Sequence, residues 1–275
     1  MKPLEGVIDA HAHCGPDSLP RTIDGVDLAR IAHAEGMRAI VLKNHYESTA
    51  TLAYLARKAV PGIEVFGGIA LNLAVGGINP HAVERMSMMT GGYGRVVWMP
   101  TFDAEAHVRH FREDRPFVPI SRGGRLLPEV RRVIELIAKG DLVLATGHSS
   151  PEECLLLVEE GRRQGVRRIV VTHAAMAPIH LPVEQMQEAA SMGSYIEFVY
   201  NGLIGPFKEF EFADYAAMIR AVGVQCSILA SDLGQPVNPV HPEGLKAYFE
   251  GMQQQGLSSA EIWDMTKNNP AKLLF

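Results

Sequence analysis

The sequence predicts a single (β/α)8 barrel, and three observations carry that prediction. Eight short apolar runs rich in Val, Ile and Leu begin at Val7, Ala39, Val65, Arg95, Leu142, Arg168, Ser194 and Cys226. Runs of this kind mark parallel strands covered on both faces. Their starts lie 26 to 32 residues apart, with one interval of 47, which suits a strand, a helix and two loops per unit. The chain has 275 residues, close to the roughly 250 such a barrel uses.

The elements follow in order. Strand one is Val7–His13, followed by a helix whose apolar face includes Leu28, Ile31 and Ala32. Strand two is Ala39–His45, strand three Val65–Asn72 and strand four Arg95–Asp103. The long interval begins with Ala104–Arg125, polar and basic, which reads as an extended loop after strand four lying over the barrel's upper face. A helix with Val130, Val133, Ile134 and Ile137 on one face then leads to strand five, Leu142–Ser150. Ser150-Pro151-Glu152-Glu153 is a helix start, with Ser as N-cap, Pro in the first turn and Glu three residues on. Strands six, seven and eight are Arg168–Met176, Ser194–Asn201 and Cys226–Gly234. Gly36, Gly62, Gly140, Gly165, Gly193 and Gly223 stand where helices should stop, because glycine accepts the left-handed conformation there. No G-x-G-x-x-G follows strand one, which argues against a doubly wound dinucleotide-binding sheet. Residues 1–275 read as one domain.

Composition narrows the function classes. Lys and Arg number 26 against 31 Asp and Glu, a net charge of −5, so no basic field for nucleic acid exists. No apolar run reaches the 18 or more residues of a membrane span. Met1–Glu5 lacks an apolar signal region, and Cys14, Cys154 and Cys226 form no disulfide framework. These features point to a cytoplasmic protein acting on a small molecule, without nucleic-acid or membrane partners and compatible with a homo-oligomer.

Polar residues gather at one end of the predicted barrel, the C-terminal ends of the strands, where active sites of such barrels lie. Strand one ends His11-Ala12-His13; residues i and i+2 share a strand face, so both imidazoles can reach one metal ion. Strand five ends Thr146-Gly147-His148, strand six Thr172-His173 and strand eight Ser231-Asp232. Strand two ends in Lys43-Asn44-His45, whose first and last members share parity. Lys43 either reaches a surface carboxylate or, with His45, binds an anionic substrate group; carbamylation of Lys43 as a metal bridge is a third reading. Glu197, inside apolar strand seven, needs a partner if buried, either structural or substrate. His33, His81, His107 and His110 fall in helices or the long loop and carry no assignment. His180 and His241 sit in upper loops, and Arg122 and Arg125 could attract a carboxylate from above.

With Asp9-Ala10-His11-Ala12-His13, His148, His173 and Asp232 in this order, the sequence resembles the amidohydrolase superfamily of metal-dependent barrel enzymes. Asn269-Pro270-Ala271-Lys272-Leu273-Leu274 is similar to the closing segment of that superfamily. The resemblance implies a divalent ion (zinc, with manganese or nickel as alternatives) held by His11, His13, His148 and Asp232, with His173 as a ligand or a catalytic group. Strand four ends Val96-Val97-Trp98-Met99-Pro100-Thr101-Phe102-Asp103 and lacks the Lys or Glu that bridges two ions, so one ion per chain is expected unless Asp103 turns inward. Asp232 is then the proton shuttle for metal-activated water and His173 the group that polarises the carbonyl. Lys43, His45 and Glu197 are the substrate-binding candidates. The implied reaction is hydrolysis of an amide, cyclic amide or lactone; a metal-dependent lyase such as a decarboxylase of a small carboxylic acid is the alternative.

Overall fold

A computed structural model describes residues 4–275; Met1–Pro3, part of the segment read as lacking a signal region, lie outside the described residues. Eight parallel strands run β1 (Ile8–His13), β2 (Ala39–Lys43), β3 (Glu64–Ala70), β4 (Gly94–Trp98), β5 (Val143–Ala145), β6 (Arg168–Val171), β7 (Tyr195–Val199) and β8 (Ser227–Ala230). Each pairs with the next in sequence order. The seam between β8 and β1 closes at its upper end, where Asp232 N–H donates to His11 O at 2.8 Å and His13 N–H to Leu233 O at 2.9 Å. All eight predicted strands are present, each shorter than its apolar run.

Two apolar layers sit on either side of the strand wall. Ile8, Ala10, Ala39, Val41, Phe66, Val96, Val143, Ala145, Val199, Ile228 and Ala230 fill the barrel interior. Leu273 and Leu274 of α11 (Asn269–Leu274) join that cluster and plug its lower end. The residues of opposite parity, such as Ile40, Leu42, Leu144 and Phe198, pack outward against helices. In α5 (Pro128–Lys139), Val130, Val133, Ile134 and Ile137 are wholly buried, each worth about 1.5–3 kcal/mol of apolar burial.

Helix starts follow local chemistry. Asp24 caps α1 (Gly25–Ala34) by accepting from Val26 and Asp27 N–H. The capping box predicted at Ser150 and Glu153 opens α6 (Pro151–Arg163). Gly36, Gly62, Gly165, Gly193 and Gly223 have positive φ as expected. At the end of α5 it is Asp141, φ +49°, that turns left-handed, while Gly140 stays at −84°.

The long interval after β4 differs from the loop expected there. It holds a short helix, α4 (Glu105–His110), and a two-stranded antiparallel ribbon of Ser121–Arg122 and Arg125–Leu126. Ala104 bridges to Val118, and Val118 N–H donates to Asp103 O at 2.7 Å, so the segment folds back on the strand end it leaves. No helix among the described residues is long and apolar enough to cross a membrane.

Candidate metal centre

The site begins with an irregularity in β1. Ile8 and Ala10 face the interior, so strict alternation would send His11 and His13 outward. The pairing with β2 shifts register between Asp9 and Ala12, and Ala12 packs into the outer layer with Leu28. A bulge of this kind re-aims side chains next to functional sites. It turns His11 and His13 into the barrel, level with Lys43, Glu197 and Asp232, which continue the interior parity of β2, β7 and β8.

Asp9 fixes this arrangement from behind. Its wholly buried carboxylate accepts from Ser231 Oγ at 2.6 Å, Ser231 N at 3.0 Å and His11 N at 3.3 Å. It therefore clips the ends of β1 and β8 together. Burial raises its pKa to about 6 despite these bonds.

His11 Nε2 and His13 Nε2 converge on Asp232 Oδ1, at 3.0 and 3.1 Å. Among the described residues these three form a buried group whose ligand atoms all lie within 4.8 Å of one another. On the other side of the ring, His11 Nδ1 lies 3.0 Å from Glu197 Oε2. A neutral imidazole has one N–H and cannot donate to two carboxylates at once. His11 thus stands between two carboxylates, with Nδ1 toward Glu197 and Nε2 toward Asp232 and Lys43 Nζ. Its pKa is raised to about 9: burial and Lys43 oppose the charge, but the two carboxylates outweigh both. Burial alone would raise Asp232, yet His11 and His13 hold it well below the usual carboxylate range. The donor set of two imidazoles and one ionised carboxylate, with a carboxylate behind one imidazole, fits a divalent ion.

The other predicted residues surround this group. Lys43 Nζ lies 3.0 Å from His11 Nε2 and above the Trp98 ring; burial lowers its pKa to about 8. His45 bonds Thr101 Oγ1 through Nδ1 at 2.8 Å and stacks between His13 and Phe102. His148 follows Gly147, whose φ of +63° and approach to Met99 O leave no space for a Cβ. His148 is not in the tight three-residue group; its Nδ1 faces His107 Nδ1 at 2.9 Å. His173, at φ +25°, stands 4.9 Å ring to ring from His148, and burial lowers its pKa to about 4. These side chains open into a pocket of about 210 Å³ lined also by Arg21, Phe102, Phe111, Met176, Asn201 and Phe207.

Three readings change here. Glu197 does not line the pocket: its Oε2 accepts from His11 Nδ1 and from His173 N–H at 2.9 Å, so it lies behind the imidazoles. Asp103 does not turn toward the ligand group, because Arg115 and Leu73 N–H hold its two oxygens. His107, left unassigned, reaches the pocket from α4 and contacts His148. His180 instead pairs with Glu209, and His241 bonds Leu233 O beneath the surface. Asn72 was also missed. It accepts from Thr101 and Asp103 N–H and donates to His45 O and Thr101 Oγ1, binding the ends of β2, β3 and β4 together. A buried polar residue at the end of strand three satisfied the same rule that found the others.

Residues 6–197 match the model of a family of unknown function, DUF6282. The chain belongs to that family. A search of curated proteins gives no match for this DUF6282 chain. Among solved structures it is similar to an amidohydrolase from Pseudomonas aeruginosa, at 11% identity and TM-score 0.67, covering 99% of this chain and 96% of that one. It is also similar to an organophosphorus hydrolase from Deinococcus radiodurans, at 15% identity and TM-score 0.66, covering 98% and 92%. A phosphotriesterase homology protein from Escherichia coli, complexed with phosphate in its active site, aligns at 13% identity and TM-score 0.61 over 99% of both chains. Each of these likenesses extends over nearly the whole chain, so the DUF6282 chain shares the barrel fold of these proteins.

Proposed function

We propose that this protein is a metal-dependent hydrolase of a small molecule, acting on an amide, cyclic amide or lactone, with residues 1–275 as one catalytic unit. The observation that carries the reading is His11 placed between two carboxylates, with His13 converging on the same Asp232 oxygen. His11, His13 and Asp232 would hold the ion, with His148 as the fourth ligand; we assign one zinc per chain. A divalent ion at such a site acidifies water and polarises the oxygen of the bond to be broken.

The chain's own residues supply the rest. Asp232 is ionised, and its Oδ2, 3.4 Å from Asn201 Nδ2, is the less engaged oxygen available to take a proton. The same carboxyl then returns the proton to the leaving group. His173 is neutral near pH 7, held there by burial, and so can donate one hydrogen bond to a developing oxyanion without adding charge. Lys43 and His45 bind the substrate from the β2 side. The hydrolases among the similar structures support hydrolysis as the reaction class, and the three free cysteines support a cytoplasmic setting.

The test is a panel of lactones, cyclic amides, linear amides and small carboxylic acids, assayed with the metal-loaded protein and with Asp232→Asn. Hydrolysis by the parent that falls roughly 10²–10⁴-fold in the folded variant is the expected result. Near-native turnover in the variant contradicts the proton role. Release of carbon dioxide without hydrolysis contradicts the reaction class.

A further inference from the structure

Arg21 stands at the mouth of the pocket in an arrangement that no assigned role explains. Its side chain is only 6% exposed. Nε donates to Asp17 Oδ2 at 2.7 Å, while Nη2 is buried with no acceptor in the protein. Leaving a buried guanidinium N–H unpaired is costly, and the residue lines the same pocket as His13, Lys43 and Asp232.

The loop that carries Arg21 is pinned on both sides. Gly15 N–H donates to Ile23 O at 2.8 Å and Gly25 N–H to Gly15 O at 2.9 Å. Thr22 N–H and Oγ1 donate to Gly234 O and Gln235 O, at 3.0 and 2.9 Å, tying the loop after β1 to the loop after β8. Asp17 holds the Nε edge, which leaves the Nη end of the fork without a partner. A guanidinium oriented in this way matches a carboxylate in geometry and charge.

The remaining walls are apolar: Leu19, Phe102, Phe111, Met176, Phe207 and Pro236. A volume of about 210 Å³ lies below the roughly 300 Å³ of drug-sized ligand pockets. We infer that the substrate is a small organic acid with an apolar body, its carboxylate bound by the Nη end of Arg21 while the bond to be cleaved faces Asp232 and His173. This assignment rests on the pocket being the substrate site of the proposed hydrolase. It moves the anion-binding role from Arg122 and Arg125, which are exposed on the ribbon after α4, to the loop after β1.

The experiment is binding, not turnover. A set of aryl- and alkyl-carboxylates, each with its primary amide, is titrated calorimetrically into the metal-loaded protein, into Arg21→Met and into Arg21→Lys. Metal content and thermal midpoint are recorded for all three. The expected result is at least one carboxylate bound about tenfold or more tighter than its amide by the parent. That preference should vanish in R21M and be reduced in R21K, which keeps the charge but not the fork, with metal content unchanged in both. Three outcomes overturn the inference: no carboxylate bound better than its amide, a preference that survives R21M, or a preference removed by stripping the metal but not by either variant. A protein that holds no metal but keeps the Arg21-dependent preference sinks the proposed hydrolase and leaves the anion subsite standing.

Discussion

Glu197 Oε2 lies 3.0 Å from His11 Nδ1 and so fixes which nitrogen of that ring faces Asp232. The same oxygen accepts from the backbone N–H of His173, so a single buried carboxylate orients two of the candidate groups. Replacing it by Glu197→Gln keeps the size and an acceptor but removes the charge behind the imidazole. Metal affinity should drop about 10–100-fold, the usual range for such a supporting partner. Competition with a chromophoric chelator measures it, and unchanged affinity would show that Glu197 is only a packing residue.

Asn72 binds three strand ends through four hydrogen bonds and is wholly buried. Asn72→Ala strands the carbonyl of His45 and the N–H groups of Thr101 and Asp103. Each buried group left unpaired costs about 1–3 kcal/mol, so a loss of about 3–5 kcal/mol in urea unfolding is expected. A loss below about 1 kcal/mol would mean that water replaces the lost contacts.

Stability should fall on mild acidification, before most carboxylates titrate. His107, His173 and His241 are each lowered to about 4 from 6.5, chiefly by burial. The unfolded chain takes up these protons near pH 6.5, while the folded protein refuses them until about pH 4. Their contribution is thus complete above pH 6.5 and is lost progressively as pH falls toward 4. The urea midpoint should drop between pH 7 and pH 5, and His241→Asn should flatten that slope. A midpoint independent of pH over this range contradicts the assignment of these histidines as neutral and buried.

Most of the barrel was legible because its strands announce themselves twice, by apolar content and by regular spacing. Ile40 and Val41 pack on opposite faces of one strand, so a continuous apolar run is what the wall requires. The buried group of His11, His13 and Asp232 was legible for a related reason, since these are polar interruptions at the ends of such runs. What remained hidden depends on contacts between distant segments. The bulge in β1 that turns His11 inward leaves no mark in the composition of Ile8–His13. Glu197 could be read as buried, but only the packing of β7 against β1 shows which group it serves. His107 and Arg21 lie outside the strand repeat altogether; each reaches the pocket because its loop is tied down elsewhere, by Asp103 and Val118 for one and by Thr22 and Gly234 for the other.

The most direct test is elemental analysis of the purified protein beside a His11→Ala/His13→Ala double variant, with circular dichroism to establish that both are folded. The parent should carry about one divalent ion per chain, and the folded variant less than about a tenth of that, because two of the ligands are gone. A parent without metal after growth and dialysis in zinc, or a variant that keeps its full complement, would contradict the centre described at His11, His13 and Asp232.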